Sequence, residues 1–238
     1  MLKETFFLDG VDAASVGIHL QNPMEFSEPV PIVEIESIPG RNGDLIFETG
    51  AFENRTGSAE CFAMMHNNVE LTIRAINRFL LFRKGYRKLE TTDDPEHYWM
   101  ARVENGARIE QRLRTMSPFE IEFDCKPQRF LKSGLETVEM TNGGVLYNQY
   151  GFDALPLIKV YGSGEGSLNV GNKRVEILSM TDGELMLDSE TQNAYIYGMN
   201  RNNQINAPEF PVLTDGENNI SWRGGIERVE IIPRWWEL

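Results

Sequence analysis

The run Ser37-Ile38-Pro39-Gly40-Arg41-Asn42-Gly43-Asp44-Leu45 sits between two strand-like segments, Val30 to Ile38 and Leu45 to Thr49. Pro39 fixes its own φ, Gly40 and Gly43 permit positive φ, and Asn42-Gly43 is a dipeptide favoured where a tight hairpin reverses a twisted strand pair. The stretch therefore reads as a rigid, polar turn that projects from the body of the protein. Two readings of it remain open: a plain solvent-exposed hairpin, or a contact loop. In the second, Arg41 and Asp44 flank the tip with opposite charges. Copies related by rotation could then pair Arg41 of one with an acid of the next, a heterologous contact that closes into a ring.

Strand patterns surround this turn. Ser58 to Met65, Tyr98 to Glu104 and Phe119 to Cys125 are strand candidates, and the last alternates cleanly: Phe119, Ile121, Phe123 and Cys125 against Glu120, Glu122 and Asp124. The exception is Asn68 to Arg83. There Val69, Ile73, Ile76 and Leu80 recur at helical spacing, Asn67 with Glu70 offers a cap, and Gly85 offers a stop, so one amphipathic helix is expected to pack on a sheet.

Alternation ceases around Pro127 to Gly134, and the turn cluster Thr141-Asn142-Gly143-Gly144 precedes a new series of strands. These are Leu157 to Tyr161, Ser167 to Val170, Arg174 to Leu178, Glu184 to Asp188, Ala194 to Tyr197, Asn219 to Trp222 and Ile226 to Pro233. Gly, Asn and Asp turns separate them, the run Gly162 to Gly166 included, and no helical pattern interrupts. That is the pattern of an antiparallel sandwich. With 238 residues in all, two domains are expected, 1–134 and 135–238, each able to bury a core.

Composition narrows the function. With 41% hydrophobic and 25% charged residues the chain is neither disordered nor fibrous. The net charge of −13 is shared between the halves, 15 basic against 21 acidic residues up to Leu131 and 8 against 15 after it. A nucleic-acid binder should gather cations against phosphates, so sequence-specific binding to DNA or RNA is not expected. An acidic wall would instead repel a duplex sliding past it. The start, Met1 to Asp9, lacks a secretory apolar region and no run approaches a membrane span, so neither a cleaved signal nor membrane insertion is expected.

Catalytic constellations are not found. His19, His66 and His97 are scattered without metal-ligand spacing, and the nucleophile-elbow, zincin and phosphate-loop motifs are missing. No enzyme activity, metal or cofactor is expected. Cys61 and Cys125 lie in alternating strands, where a small buried thiol is the ordinary explanation. Trp222, Trp235 and Trp236 admit two readings. They could offer a glycan or partner contact on a β-sandwich, or they could be buried anchors, with Trp222 in the core and the terminal pair covering the sandwich.

Taken in order, the turn, the helix followed by Gly85-Tyr86-Arg87-Lys88-Leu89, Asp93 to Trp99, Phe119 to Pro127 and the ending Ile232 to Leu238 resemble the distal tail protein (Dit) family of long-tailed, non-contractile bacteriophages. Ile38 to Leu45 and Leu89 to Val103 carry the likeness best. The second half is similar through Pro156 to Gly164, Leu187 to Glu190 and Gly216 to Ile220. The resemblance implies a mainly β protein, with an N-terminal β-sandwich-like ring domain bearing one helix and a C-terminal galectin-like β-sandwich. It implies a structural virion protein at the distal tip of a phage tail, assembled in the host cytoplasm. Its partners would be five further copies in a homohexamer, the tail tube protein and the tail-associated tip protein, with the tape-measure protein passing through the channel and receptor-binding proteins attached. Ile38, Pro39, Gly40, Arg41, Asn42, Gly43 and Asp44 would lie at the oligomer interface. The alternative of another class is a carbohydrate-binding module or an accessory of a cell-wall glycan hydrolase, resting on the tryptophans. A tail-tube subunit is a third reading, though a large second domain is hard to place in a smooth tube.

Overall fold

The computed structural model describes residues 4–64, 69–115 and 118–238. The protein is mainly β, with two α-helices among the described residues, and forms two compact units that divide after Arg129.

The first unit contains β1 (Phe6–Leu8), β2 (Ile18–Leu20), β3 (Pro31–Glu36), β4 (Leu45–Phe52), β5 (Arg55–Ala63), α1 (Val69–Leu81), β6 (Arg87–Thr91), β7 (His97–Val103), α2 (Gly106–Thr115) and all but the last two residues of β8 (Phe119–Leu131). Its main sheet runs β1-β6-β7-β8-β5-β2, with Val11–Asp12 added beside β1 and Glu25–Phe26 beside β5. β8 and β5 are antiparallel with Phe119 opposite Cys61 and Ile121 opposite Ala59, so the predicted alternation of β8 is met by the alternation of β5. Their inward residues join Leu89 of β6, Phe6 of β1 and the inner faces of both helices in one core. Phe6 lies at the centre, edge-on to Phe123 with ring centroids 5.8 Å apart.

The expected helix is present as α1, which buries Ile76, Phe79 and Leu80. Its expected cap at Asn67, the helix start at Asn68, the strand end at Met65 and His66 lie outside the described residues. A second helix, α2, corrects the one-helix expectation. It is mostly polar, and its hold on the core rests on Ile109 and Leu113, four residues apart and both fully buried. At about 1.5–3 kcal/mol for each buried aliphatic side chain, two are enough to dock a ten-residue helix whose remaining face is charged.

The second unit, Phe130–Glu237, contains β9 (Val138–Met140), β10 (Gly144–Asn148), β11 (Leu157–Val170), β12 (Lys173–Ile177), β13 (Glu184–Asp188), β14 (Asn193–Ile196) and β15 (Gly216–Ile232). Four separate strands had been expected where β11 and β15 run without a break. The glycine run 162–166 is accordingly no inter-strand turn but a bulged bend inside β11, opposite Gly224 and Gly225 of β15. Beyond the bend the long pair changes neighbours, from β13 beside Leu157–Tyr161 to β12 beside Gly166–Val170. Ile158 and Val160 from one side of it and Leu168 and Val170 from the other are all buried in one core. A single bent strand pair thus covers both sides of that core. The segment following Arg129 is tied into this unit: Leu131 N–H donates to Trp235 O at 3.0 Å, and Arg234 N–H donates to Gly134 O at 2.8 Å.

Candidate oligomer interface

β3 and β4 form a sheet of their own, separate from the main one. They pair antiparallel, with Glu36 opposite Leu45, Ile35 opposite Ile46, Glu34 opposite Phe47 and Val33 opposite Glu48. Directly opposed residues share a face. Val33, Ile35, Ile46 and Glu48 therefore occupy one side of the hairpin, and Glu34, Glu36, Leu45 and Phe47 the other. No hairpin residue enters the core of the first unit. Ile35 and Ile46 are 64% and 63% exposed and Phe47 is 51% exposed, values unusual for large apolar side chains held in regular structure.

The connecting turn differs in detail from its expected form. Arg41 N–H donates to Ile38 O at 3.1 Å, and Gly40 has φ 84°. Pro39 and Gly40 are thus the central residues of a type II turn. Asn42 does not take positive φ, whereas Gly43 does, at 80°. The tight Asn-Gly reversal is replaced by a broader loop. Ile38, Pro39, Gly40, Arg41, Asn42, Gly43 and Asp44 are all exposed in it. Among the described residues neither Arg41 nor Asp44 has an ion-pair partner.

The tryptophans are occupied within the second unit. Trp235 is 8% exposed, in the core and tilted against Tyr150. Trp236 stacks on Phe152 with centroids 4.4 Å apart, and its Nε1–H donates to Asp153 O at 2.9 Å. Trp222 is half-buried on β15, opposite Leu168. The histidines within the described residues are likewise held by neighbours: His19 stacks on Phe62, and His97 Nδ1 lies 2.7 Å from Asp94 Oδ1. Cys61 and Cys125 are buried and unbridged, and burial pushes both thiols up to about 12, far from nucleophilic use at neutral pH. Among the described residues no group of three His, Cys, Asp or Glu side chains could hold a metal ion, and no helix is long and apolar enough to cross a membrane.

What sequence reasoning passed over is the apolar content of the hairpin beyond its turn. The signal was there: Ile32 and Val33, or Ile46 and Phe47, are adjacent residues pointing to opposite faces, a pattern that asks for cover on both sides.

Residues 12–125, which include the β3–β4 hairpin, are similar to the family model described as the phage tail protein RIFT-related domain. The match spans most of the first unit. Over the whole chain the fold is similar to that of the SPP1 Dit protein, described as a paradigm of the hub adsorption apparatus in phages infecting Gram-positive bacteria. The TM-score is 0.71 at 14% identity, covering 96% of this chain and 97% of that one. No curated protein gives a match. The resemblance read from Ile38–Leu45 and Leu89–Val103 is thus supported by a family model and by a fold.

Proposed function

We propose that the protein is a distal tail hub subunit of a siphophage, located in the virion tail. Six copies would form a ring through their first units, joining the tail tube to the tip proteins and leaving a channel for DNA. The second units would serve as brackets for receptor-binding machinery. The observation that carries this reading is the fold likeness to a hub protein across nearly the full length of both chains. The hairpin supports it independently. An isolated two-stranded sheet is at best marginal in water, and this one keeps Ile35, Ile46 and Phe47 exposed, so a second copy of the chain is the natural cover.

The mechanism is geometric rather than chemical. Burying the hairpin faces in a neighbour removes apolar area from water and pairs edge backbone groups, while acidic side chains on the inner wall keep DNA from adhering. Light scattering on concentrated protein, alone and with the tail tube protein, tests it. A hexamer or a ring in either sample supports the hub. Strictly monomeric protein in both would overturn it.

A further inference from the structure

Within an acidic chain, the first unit segregates its charges. From Glu25 to Glu53, around the β3–β4 hairpin, seven Asp and Glu stand against Arg41 alone. From Val69 to Lys88, along α1 and the turn that follows it, six Lys and Arg stand against Glu70 alone. Some of these cations are used internally: Arg87 and Arg83 both hold Asp9 Oδ2, at 3.0 and 2.8 Å. Arg74 pairs with Glu70 at the surface, where both side chains are mostly in solvent and free to exchange partners.

Both segments also put apolar side chains into water. On α1 and just beyond it, Leu71, Ala75, Arg78 and Phe82 recur at spacings of four, three and four, so they form one stripe, apart from the stripe that carries Ile76 and Leu80 into the core. Leu71 is 60% and Phe82 72% exposed, and the Arg78 guanidinium carbon lies 5.6 Å from the Phe82 ring centroid. The hairpin face of Val33, Ile35 and Ile46 has Glu48 on it, and Asp44 follows the same alternation at the turn. The two surfaces agree in length: six residues of β3 and thirteen of α1 each span about 20 Å.

We infer that, within the ring proposed above, the hairpin of each subunit lies across α1 of the next. Ile35 and Ile46 cover Leu71 and Phe82, and Asp44 and Glu48 meet Arg74, Arg78 and Lys84. Charge decides between the possible pairings. Hairpin against hairpin would set acid against acid, and helix against helix cation against cation, whereas hairpin against helix brings opposite signs together. That last contact uses two different patches of the same molecule, so it is heterologous and propagates head to tail until it closes. The arrangement accounts for a ring instead of a two-fold dimer.

Two arms test this. In the first, Ile46→Cys and Phe82→Cys variants are mixed under mild oxidation; the native cysteines are buried and should not compete. A disulfide joining one variant to the other, found by mass spectrometry in the mixture and not in either variant alone, is expected. In the second, Asp44→Lys with Glu48→Lys, and Arg78→Glu with Lys84→Glu, are each expected to weaken assembly at least tenfold without changing thermal unfolding. A chain carrying all four changes should assemble again. Rings that form without the cross-link, or that ignore both charge reversals, would overturn the hairpin-on-helix contact while leaving the hub reading intact. Wild-type protein that never assembles, even with the tube protein, would overturn both.

Discussion

Arg234 has a backbone φ of 60°, a left-handed conformation that costs a non-glycine residue about 1 kcal/mol or more. Its guanidinium offsets that cost, with Nη1 2.6 Å from Asp188 Oδ1 and 3.5 Å from Glu190 Oε2. Burial raises the proton affinity of Asp188, but the hydrogen bond and charge of Arg234, with the Glu190 N–H and the Thr191 side chain, outweigh it and hold the carboxyl below the usual carboxylate range. The sign follows from linkage: a carboxylate with a depressed folded pKa stabilises the protein above its unfolded value, near pH 4, and loses that contribution as pH falls through the folded one. Asp188→Asn should therefore destabilise the protein at pH 7, by about 1.5–3 kcal/mol for the loss of a charged hydrogen bond, and the gap from wild type should shrink as pH falls below the unfolded carboxylate value, as read from urea denaturation at neutral and acid pH. Trp235 belongs to the same corner of the second unit. Trp235→Ala should cost about 3–5 kcal/mol of stability, measured by chemical denaturation, because the indole is core. If Trp235 instead met a glycan or partner, the same change would leave stability nearly untouched and abolish binding on a glycan array.

At the level of elements, the bend shared by β11 and β15 sets the architecture of the second unit, and glycine makes it possible. A Cβ on Gly225 would lie 1.7 Å from Ser163 O, and one on Gly162 would lie 1.9 Å from Gly225 O, whereas a Cβ on Gly164 meets nothing within 4 Å. Gly225→Ala should force the two backbones apart, lowering the stability of the second unit by more than about 3 kcal/mol. Gly164→Ala, at φ 74°, should cost only the left-handed backbone penalty of about 1 kcal/mol, and calorimetry on the two variants separates the effects. The sequence made the strands legible and not their continuity. Alternation identifies Leu157 to Tyr161 and Ser167 to Val170 separately, but a glycine-rich gap looks the same whether the chain turns back or crosses another strand closely. α2 escaped for a different reason: Ile109 and Leu113 are its two core contacts, too few to make a periodic pattern. The hairpin was legible from its turn residues alone, while its independence from the core depends on tertiary contacts that a local pattern does not carry.

On the scale of the whole molecule, stability and assembly should be separable, because the surface proposed for assembly contributes nothing to either core. The body of the first unit is held by Phe6, Leu89, Phe123 and the inner faces of α1 and α2, and β3 and β4 add no residue to that set. Replacing residues 31–52 with a short Gly-Ser linker should therefore leave the unfolding temperature within a few degrees of wild type. The strands on either side remain anchored: Ser27 N–H donates to Thr56 O at 2.9 Å, and Gly57 pairs with both Phe26 and Phe123. The same replacement should abolish ring formation by light scattering and electron microscopy. Ile35→Ser with Ile46→Ser should act in the same direction by a smaller change, since surface substitutions outside a core usually shift stability by no more than about 0.5 kcal/mol. A fold that collapses when the hairpin is removed would mean that the arm stabilises its own subunit. Its exposed isoleucines would then need an explanation other than a neighbouring copy.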